Sequence, residues 1–197
     1  MTMAEKLTKI AENEHKVYEA GKQTEQKTFW DLFQNGGRRT SYQYAFRGAS
    51  WTDAVFFPRY PIKGNVQQAF ITSGITDTKV PIVVNGSISS GFHGAATKTI
   101  RSLDLTECTS CTRAFYNAAA LESVTFVGTV KINEVDLSYS PKLDVASMVS
   151  LMDCLEQKTD GGDWVVTLGT VNKNKLLSDV EGSAALARAE AKGWEIK

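Results

Sequence analysis

The sequence predicts an α/β fold: a solenoid of short parallel strands, with an N-terminal helix and aromatic cap before it and a C-terminal α/β cap after it. Three observations predict this. A small residue followed by Phe recurs at Ala45-Phe46, Ala69-Phe70, Gly91-Phe92 and Ala114-Phe115, in steps of 24, 22 and 23 residues. Small residues follow each Phe: Gly48-Ala49, Ser73-Gly74, Gly94-Ala95 and Ala118-Ala119. Short β-branched or Leu-rich runs come next, at Val80 to Val84, Leu103-Asp104-Leu105 and Val124-Thr125-Phe126. A fixed period of this length is the signature of a solenoid. Each unit cannot bury its apolar face alone and buries it on its neighbours. The Phe column should be the spine of that core.

In chain order, Met3 to Gly21 reads as an amphipathic helix. Met3, Leu7, Ile10 and Val17 fall at steps of four and three residues, with Glu14 interrupting the series. Two readings of this helix stand: packing on the end of the solenoid, or oligomerisation and docking through its apolar seam. A second short helix, Gln26 to Gln34, is stopped by Asn35-Gly36-Gly37. The segment from Tyr42 to Tyr60 holds Tyr42, Tyr44, Phe46, Trp51, Phe56, Phe57 and Tyr60. It is either a cap over the first repeat's open edge or an aromatic patch for glycan or protein contact.

From Val66 to Leu137 the β-runs at 80–84, 102–105, 123–126 and 132–137 should lie side by side in parallel, buried by Val, Ile, Leu and Phe. Pro81 is expected to make the first run an edge or a distorted strand. The residue directly after each Phe (Arg47, Ile71, His93, Tyr116) varies freely, so this column should face solvent. Asp144 to Glu156 reads as a helix with Asp144 as N-cap and Val145, Met148, Val149, Met152 and Leu155 on one face. Trp164 to Leu168 reads as a strand, Leu176 to Lys192 as largely helical, and Trp194 to Ile196 as a last strand. The chain thus divides into a helical segment for oligomerisation or docking (1–35), a solenoid with its N-terminal cap (36–143) and an α/β cap (144–197).

Charge and composition narrow the function classes. The 197 residues carry 22 Lys and Arg against 22 Asp and Glu, so no net field favours nucleic acid or an anionic membrane. No run of about 18 apolar residues exists to span a bilayer. Glu5, Lys6 and Lys9 interrupt the layout of a secretory leader. A chain reaching a cell exterior without such a leader would need another route, of which release by lysis is one. Three cysteines, Cys108, Cys111 and Cys154, are too few for a disulfide framework and fit assembly in a reducing cytoplasm. Cys108-Thr109-Ser110-Cys111 has metal or redox spacing but no second pair. Packing as small apolar groups is the expectation. Asp160-Gly161-Gly162-Asp163 reads as a turn, being too short for a calcium loop. No phosphate loop, nucleophile elbow or HExxH appears. No catalytic residue, metal or cofactor is expected, and a hydrolase would need clustered acids that the sequence does not offer.

The segment Ser102-Leu103-Asp104-Leu105, Arg113-Ala114-Phe115 and Leu121-Glu122-Ser123-Val124-Thr125-Phe126 resembles the leucine-rich repeats of BspA-type surface proteins. Phe29-Trp30-Asp31-Leu32-Phe33-Gln34-Asn35-Gly36, Tyr44-Ala45-Phe46, Trp51-Thr52-Asp53 and Phe57-Pro58-Arg59-Tyr60 are similar to the opening of repeat proteins encoded among tail genes of gut bacteriophages and prophages. The resemblance implies a leucine-rich-repeat solenoid and a non-enzymatic virion protein of tail, baseplate or tail fibre, acting in structure or host adsorption. A bacterial cell-surface adhesion or host-interaction module is the alternative. Implied partners are other copies of the chain (a trimer by family analogy), other phage tail proteins, and a host-surface glycan or protein. The expected oligomerisation or docking residues are Met3, Leu7, Ile10 and Val17. The expected binding surface holds Arg47, Trp51, His93 and Tyr116.

Overall fold

The dipeptides that mark the period all sit in the same tight turn. In the computed structural model, which describes residues 41–49, 61–159 and 161–197, each Phe lies midway between two residues of positive φ. Tyr44 and Gly48 flank Phe46, Gln68 and Thr72 flank Phe70, Ser90 and Gly94 flank Phe92, and Arg113 and Asn117 flank Phe115, with φ between 50° and 64°. This alternation sends successive amides in opposite directions. The amides of Ala45, Arg47 and Ala49 close i→i+3 turns on the carbonyls of Tyr42, Tyr44 and Phe46. Those of Tyr44, Phe46 and Gly48 donate to Gln67, Ala69 and Ile71 in the next turn. The same pattern passes from Gln68, Phe70 and Thr72 to Ser89, Gly91 and His93, and from Ser90, Phe92 and Gly94 to Thr112, Ala114 and Tyr116. Gly91 takes the place of the alanines elsewhere for a steric reason: a Cβ there would lie 2.8 Å from the Ile88 carbonyl oxygen.

Inside the turns the phenylalanines form one buried column. Ring centroids are 4.9 Å apart for Phe46–Phe70, 4.8 Å for Phe70–Phe92 and 6.0 Å for Phe92–Phe115, with planes within 14° of parallel. Phe126 closes the stack edge-on to Phe115 at 6.3 Å.

Among the described residues the chain is a mixed α/β fold of seven strands and three helices. They run β1 (Ile62–Gly64), β2 (Ile82–Ser87), β3 (Thr99–Ser110), β4 (Ser123–Val127), β5 (Glu134–Asp136), α1 (Val145–Cys154), β6 (Val165–Thr167), α2 (Gly169–Leu177), α3 (Val180–Ala191) and β7 (Glu195–Ile196). All pairings are parallel, in a four-stranded sheet β1-β2-β3-β4 and a three-stranded sheet β5-β6-β7. Parallel strands buried on one face by the turns and their linkers explain the run of fully covered residues Ile62, Ile82, Val84, Ile100, Leu103, Leu105 and Val124.

Three expectations need correction. Of the two outcomes expected from Pro81, an edge or a distorted strand, the edge does not occur: β2 starts one residue later and lies inside the sheet, between β1 and β3. Proline is tolerated immediately before a strand, where the Pro81 carbonyl still accepts from Ile62. The irregularity appears as register shifts between β2 and β3 instead. The run at 132–137 does not continue the first sheet; β5 pairs with β6. The helix expected over 176–192 is two helices, and the first begins at Gly169. Asp179 breaks them, with its carboxylate accepting from the Gly182 amide as the N-cap of α3.

Helix α1 explains why β5 leaves the sheet. Asp144 caps α1 through the Ser147 amide, as its sequence implies. The Ser147 hydroxyl donates to the Asp144 carboxylate and accepts from the Val124 amide at 2.8 Å. One helical turn on, the Ser150 hydroxyl accepts from the Phe126 amide at 3.0 Å. Two serines thus do for the edge of β4 what the next strand would have done, and a covered edge cannot template further pairing. Met148, Leu151 and Met152 bury the same helix beneath that edge, while Val145 and Val149 are only half-buried. Residues 3–40, with both expected N-terminal helices, lie outside the described residues, as do the aromatics between 50 and 60 and Asp160 of the expected turn. The described residues fall in one compact unit.

Two stability predictions follow from these contacts. Phe92→Ala should cost roughly 3–5 kcal/mol in urea melts, as large core truncations do; losses under about 1 kcal/mol at both Phe92 and Phe115 would mean that the column carries no weight. Ser147→Ala strands the buried Val124 amide and should cost about 1–3 kcal/mol. Hydrogen exchange at Val124 should accelerate selectively, and an unchanged rate would sink the edge-cap account.

Candidate functional site

The residue after each Phe lies between the two left-handed positions of its turn. Arg47 and Tyr116 are exposed there, whereas Ile71 and His93 are half-buried, so the column faces solvent only in part. The structure brings His93 and Tyr116 together as an edge-on pair at 5.0 Å. Tyr139 extends the pair, its ring centroid 4.4 Å from that of Tyr116. Arg47 is not joined to this cluster: its guanidinium lies 5.6 Å over the Tyr44 ring. In the same way Arg113 lies 5.8 Å from the Tyr116 ring, within cation–π range. Trp51 lies outside the described residues, as do Met3, Leu7, Ile10 and Val17.

Beside the aromatic cluster the layers part. The amides of Phe46, Phe70 and Phe92 each find a carbonyl in the following turn, but among the described residues none takes the amide of Phe115. The chain here runs from the fourth turn to β5, and β5 is committed to β6. The Asn133 carbonyl accepts from the Val165 amide and the Leu137 amide donates to the Thr167 carbonyl, so the alternation of a parallel strand leaves the backbone groups of Glu134 and Asp136 on its free edge. Between the turn and β5 opens a cavity of about 400 Å³ lined by Thr112, Arg113, Tyr116, Glu134, Asp136 and Tyr139, with Cys111 beneath. One guanidinium, two carboxylates, a hydroxyl and two phenols thus face one space.

The far wall is held by α2. Asn172 is buried and donates to the carbonyls of Leu137 and Ser140 at 3.0 and 3.2 Å, and Lys175 donates to those of Pro141 and Leu143 at 2.8 Å. Asp136 accepts from the Ser138 amide at 2.8 Å, which fixes the start of the loop that carries Tyr139. Sequence reasoning named Tyr116 and His93 but missed Arg113, Glu134, Asp136 and Tyr139. One signal was available: Tyr139 follows Tyr116 by 23 residues, a single period.

The three cysteines are free thiols, Cys108 and Cys111 buried and Cys154 half-buried. Burial pushes all three thiols up, and Cys111 well above the ordinary range, with Cys108, Glu134 and Asp136 adding to the shift. Buried thiols held protonated are poor nucleophiles and poor ligands. Among the described residues no group of three or more His, Cys, Asp or Glu is placed to hold a metal ion, and no helix is long and apolar enough to cross a membrane. Comparison with protein-family models, curated proteins and solved structures finds no match.

The Cys111 thiol gives a pH prediction. Its folded pKa lies above that of the unfolded chain, so the associated stability is complete below the ordinary thiol range and is lost as pH rises through it. Urea melts between about pH 8 and 10 should show stability falling with pH. The fall should be shallower in Cys111→Ala, and equal slopes would refute the assignment.

Proposed function

We propose that the chain is a leucine-rich-repeat solenoid that works without catalysis, as a structural or adsorption protein of a phage tail, baseplate or tail fibre. The observation that carries the scaffold half of this reading is the ladder of amides passed from turn to turn beneath the stacked phenylalanines. A backbone satisfied in this way leaves the residue after each Phe free to present chemistry. The aromatic cluster of His93, Tyr116 and Tyr139 and the polar cleft beside it are the display face. The phage half rests on the sequence resemblance of residues 29–60 to the opening of tail-gene repeat proteins, and the leucine-rich-repeat reading on that of residues 102–126 to BspA-type repeats.

In this reading residues 1–35 oligomerise or dock through Met3, Leu7, Ile10 and Val17, with a trimer as the assembly. Residues 36–143 are the solenoid and 144–197 its cap. Assembly takes place in the bacterial cytoplasm, and closed cyclic symmetry is the usual outcome for such homo-oligomers. Partners are copies of the chain, other tail proteins and a host-surface ligand.

Mass spectrometry of purified particles from the strain that carries the gene should find the chain as a structural component. An antibody to it should label tails and reduce adsorption. A chain absent from particles and recovered from the cell envelope would replace this reading by the surface-adhesion module.

A further inference from the structure

The cleft between the fourth turn and β5 carries chemistry that the solenoid itself does not need. Three turns close their layers with amide–carbonyl bonds, whereas here the layers separate and leave about 400 Å³. Its lining excludes most ligand classes. An apolar ligand would strand Arg113, Glu134 and Asp136 without water, at a high desolvation cost. An anion meets two carboxylates, and a simple cation meets the guanidinium. An extended peptide could meet the free edge of β5 on one side, but not the turn on the other, because Phe115 with its unpaired amide is fully buried and out of reach.

A saccharide suits every group present. Each hydroxyl both donates and accepts, so carboxylates and a guanidinium can be satisfied by one neutral molecule. The C–H face of a pyranose is apolar and packs on an aromatic ring, and Tyr pairs such a face with a polar tip. Tyr116 and Tyr139 are 37% and 43% exposed at the cleft, so their rings are accessible. The volume falls in the range of small-molecule sites and takes one or two sugar rings.

We propose that this cleft is a saccharide-binding site, in which Tyr116 and Tyr139 take the sugar's C–H face and Arg113, Glu134 and Asp136 bond its hydroxyls. The assignment rests on the reading of this face as a display surface and not on the particle that carries it. A site of this size binds weakly by itself, and several copies on one assembly convert weak binding into avidity.

The test is an NMR titration of the isotope-labelled full chain with methyl glucoside, methyl galactoside, N-acetylglucosamine and lactose, each to about 50 mM, a range that captures weak sites. At least one sugar should shift amides within 112–117 and 134–140, with a Kd on the order of millimolar. Tyr139→Ala and Glu134→Gln, both at exposed positions, should each weaken binding by about tenfold, the equivalent of about 1.4 kcal/mol. Silence with all four sugars, shifts confined to other regions, or unchanged affinity in both variants would overturn the site. So would trialanine moving these signals where no sugar does. If the chain is found in particles while every sugar is silent, only the saccharide assignment falls; sugar binding by a chain absent from particles leaves this site standing and removes the phage role.

Discussion

The structure depends on a backbone that alternates its amides: one closes its own turn, the next reaches into the following layer. That alternation needs positive φ two residues before and two residues after each Phe. Only Gly48 and Gly94 occupy these eight positions as glycine; the others are Tyr44, Gln68, Thr72, Ser90, Arg113 and Asn117. Left-handed backbone costs about 1–2 kcal/mol for a residue with a Cβ, and more for the β-branched Thr72. The turns therefore cannot be favourable alone. The ladder and the stacked rings offset the strain, which makes every turn conditional on its neighbours, as expected for units that are stable only in a stack.

A structure built this way must also end, since an unsatisfied layer exposes donors to any strand that arrives. Two different endings appear. At β4 the end is closed: Ser147 and Ser150 from α1 supply hydroxyl acceptors at the spacing of the missing strand. At the fourth turn the end is open: β5 belongs to another sheet, and among the described residues no carbonyl takes the Phe115 amide. The first ending is covered by Met148, Leu151 and Met152, so it stabilises. The second is lined by charge and exposed tyrosine, which neither buries apolar area nor satisfies the backbone. The proposed saccharide site would give these groups a use that packing does not.

Much of the scaffold was legible because its period is written in a residue type that cannot be hidden. Four phenylalanines in register announce the column, and Asp144 with its downstream apolar face announces α1. The break of β5 from the first sheet was not legible, because Val135 reads like Val124 in local pattern. The difference lies in what Ser147 does to Val124, a contact 23 residues away. The α2–α3 break was missed for a similar reason: Asp179 reads as a surface charge within an Ala-rich run until its carboxylate is seen on the Gly182 amide. Half of the candidate face was visible as the variable residue after each Phe. The other half, Glu134, Asp136 and Tyr139, lies beyond the fourth turn, where no Phe marks the period and pattern reading loses its anchor.

Backbone and outward side chains are separated in what they carry. The turns are secured by backbone amides and by side chains pointing inward, so the residue after Phe can be Arg47, Ile71, His93 or Tyr116 while its own amide closes the same i→i+3 turn. Change at such positions leaves the turn's own backbone bonds untouched. The cleft is held differently. Its wall depends on Asn172 and Lys175 gripping the carbonyls of 137–143 from α2, and Asp136 both lines the space and caps the loop through Ser138. A change at Asp136 therefore moves the wall as well as its charge. The outer column can vary cheaply in its side chains, whereas the cleft fixes a geometry, so a substitution in the first changes surface chemistry alone and one in the second changes shape as well.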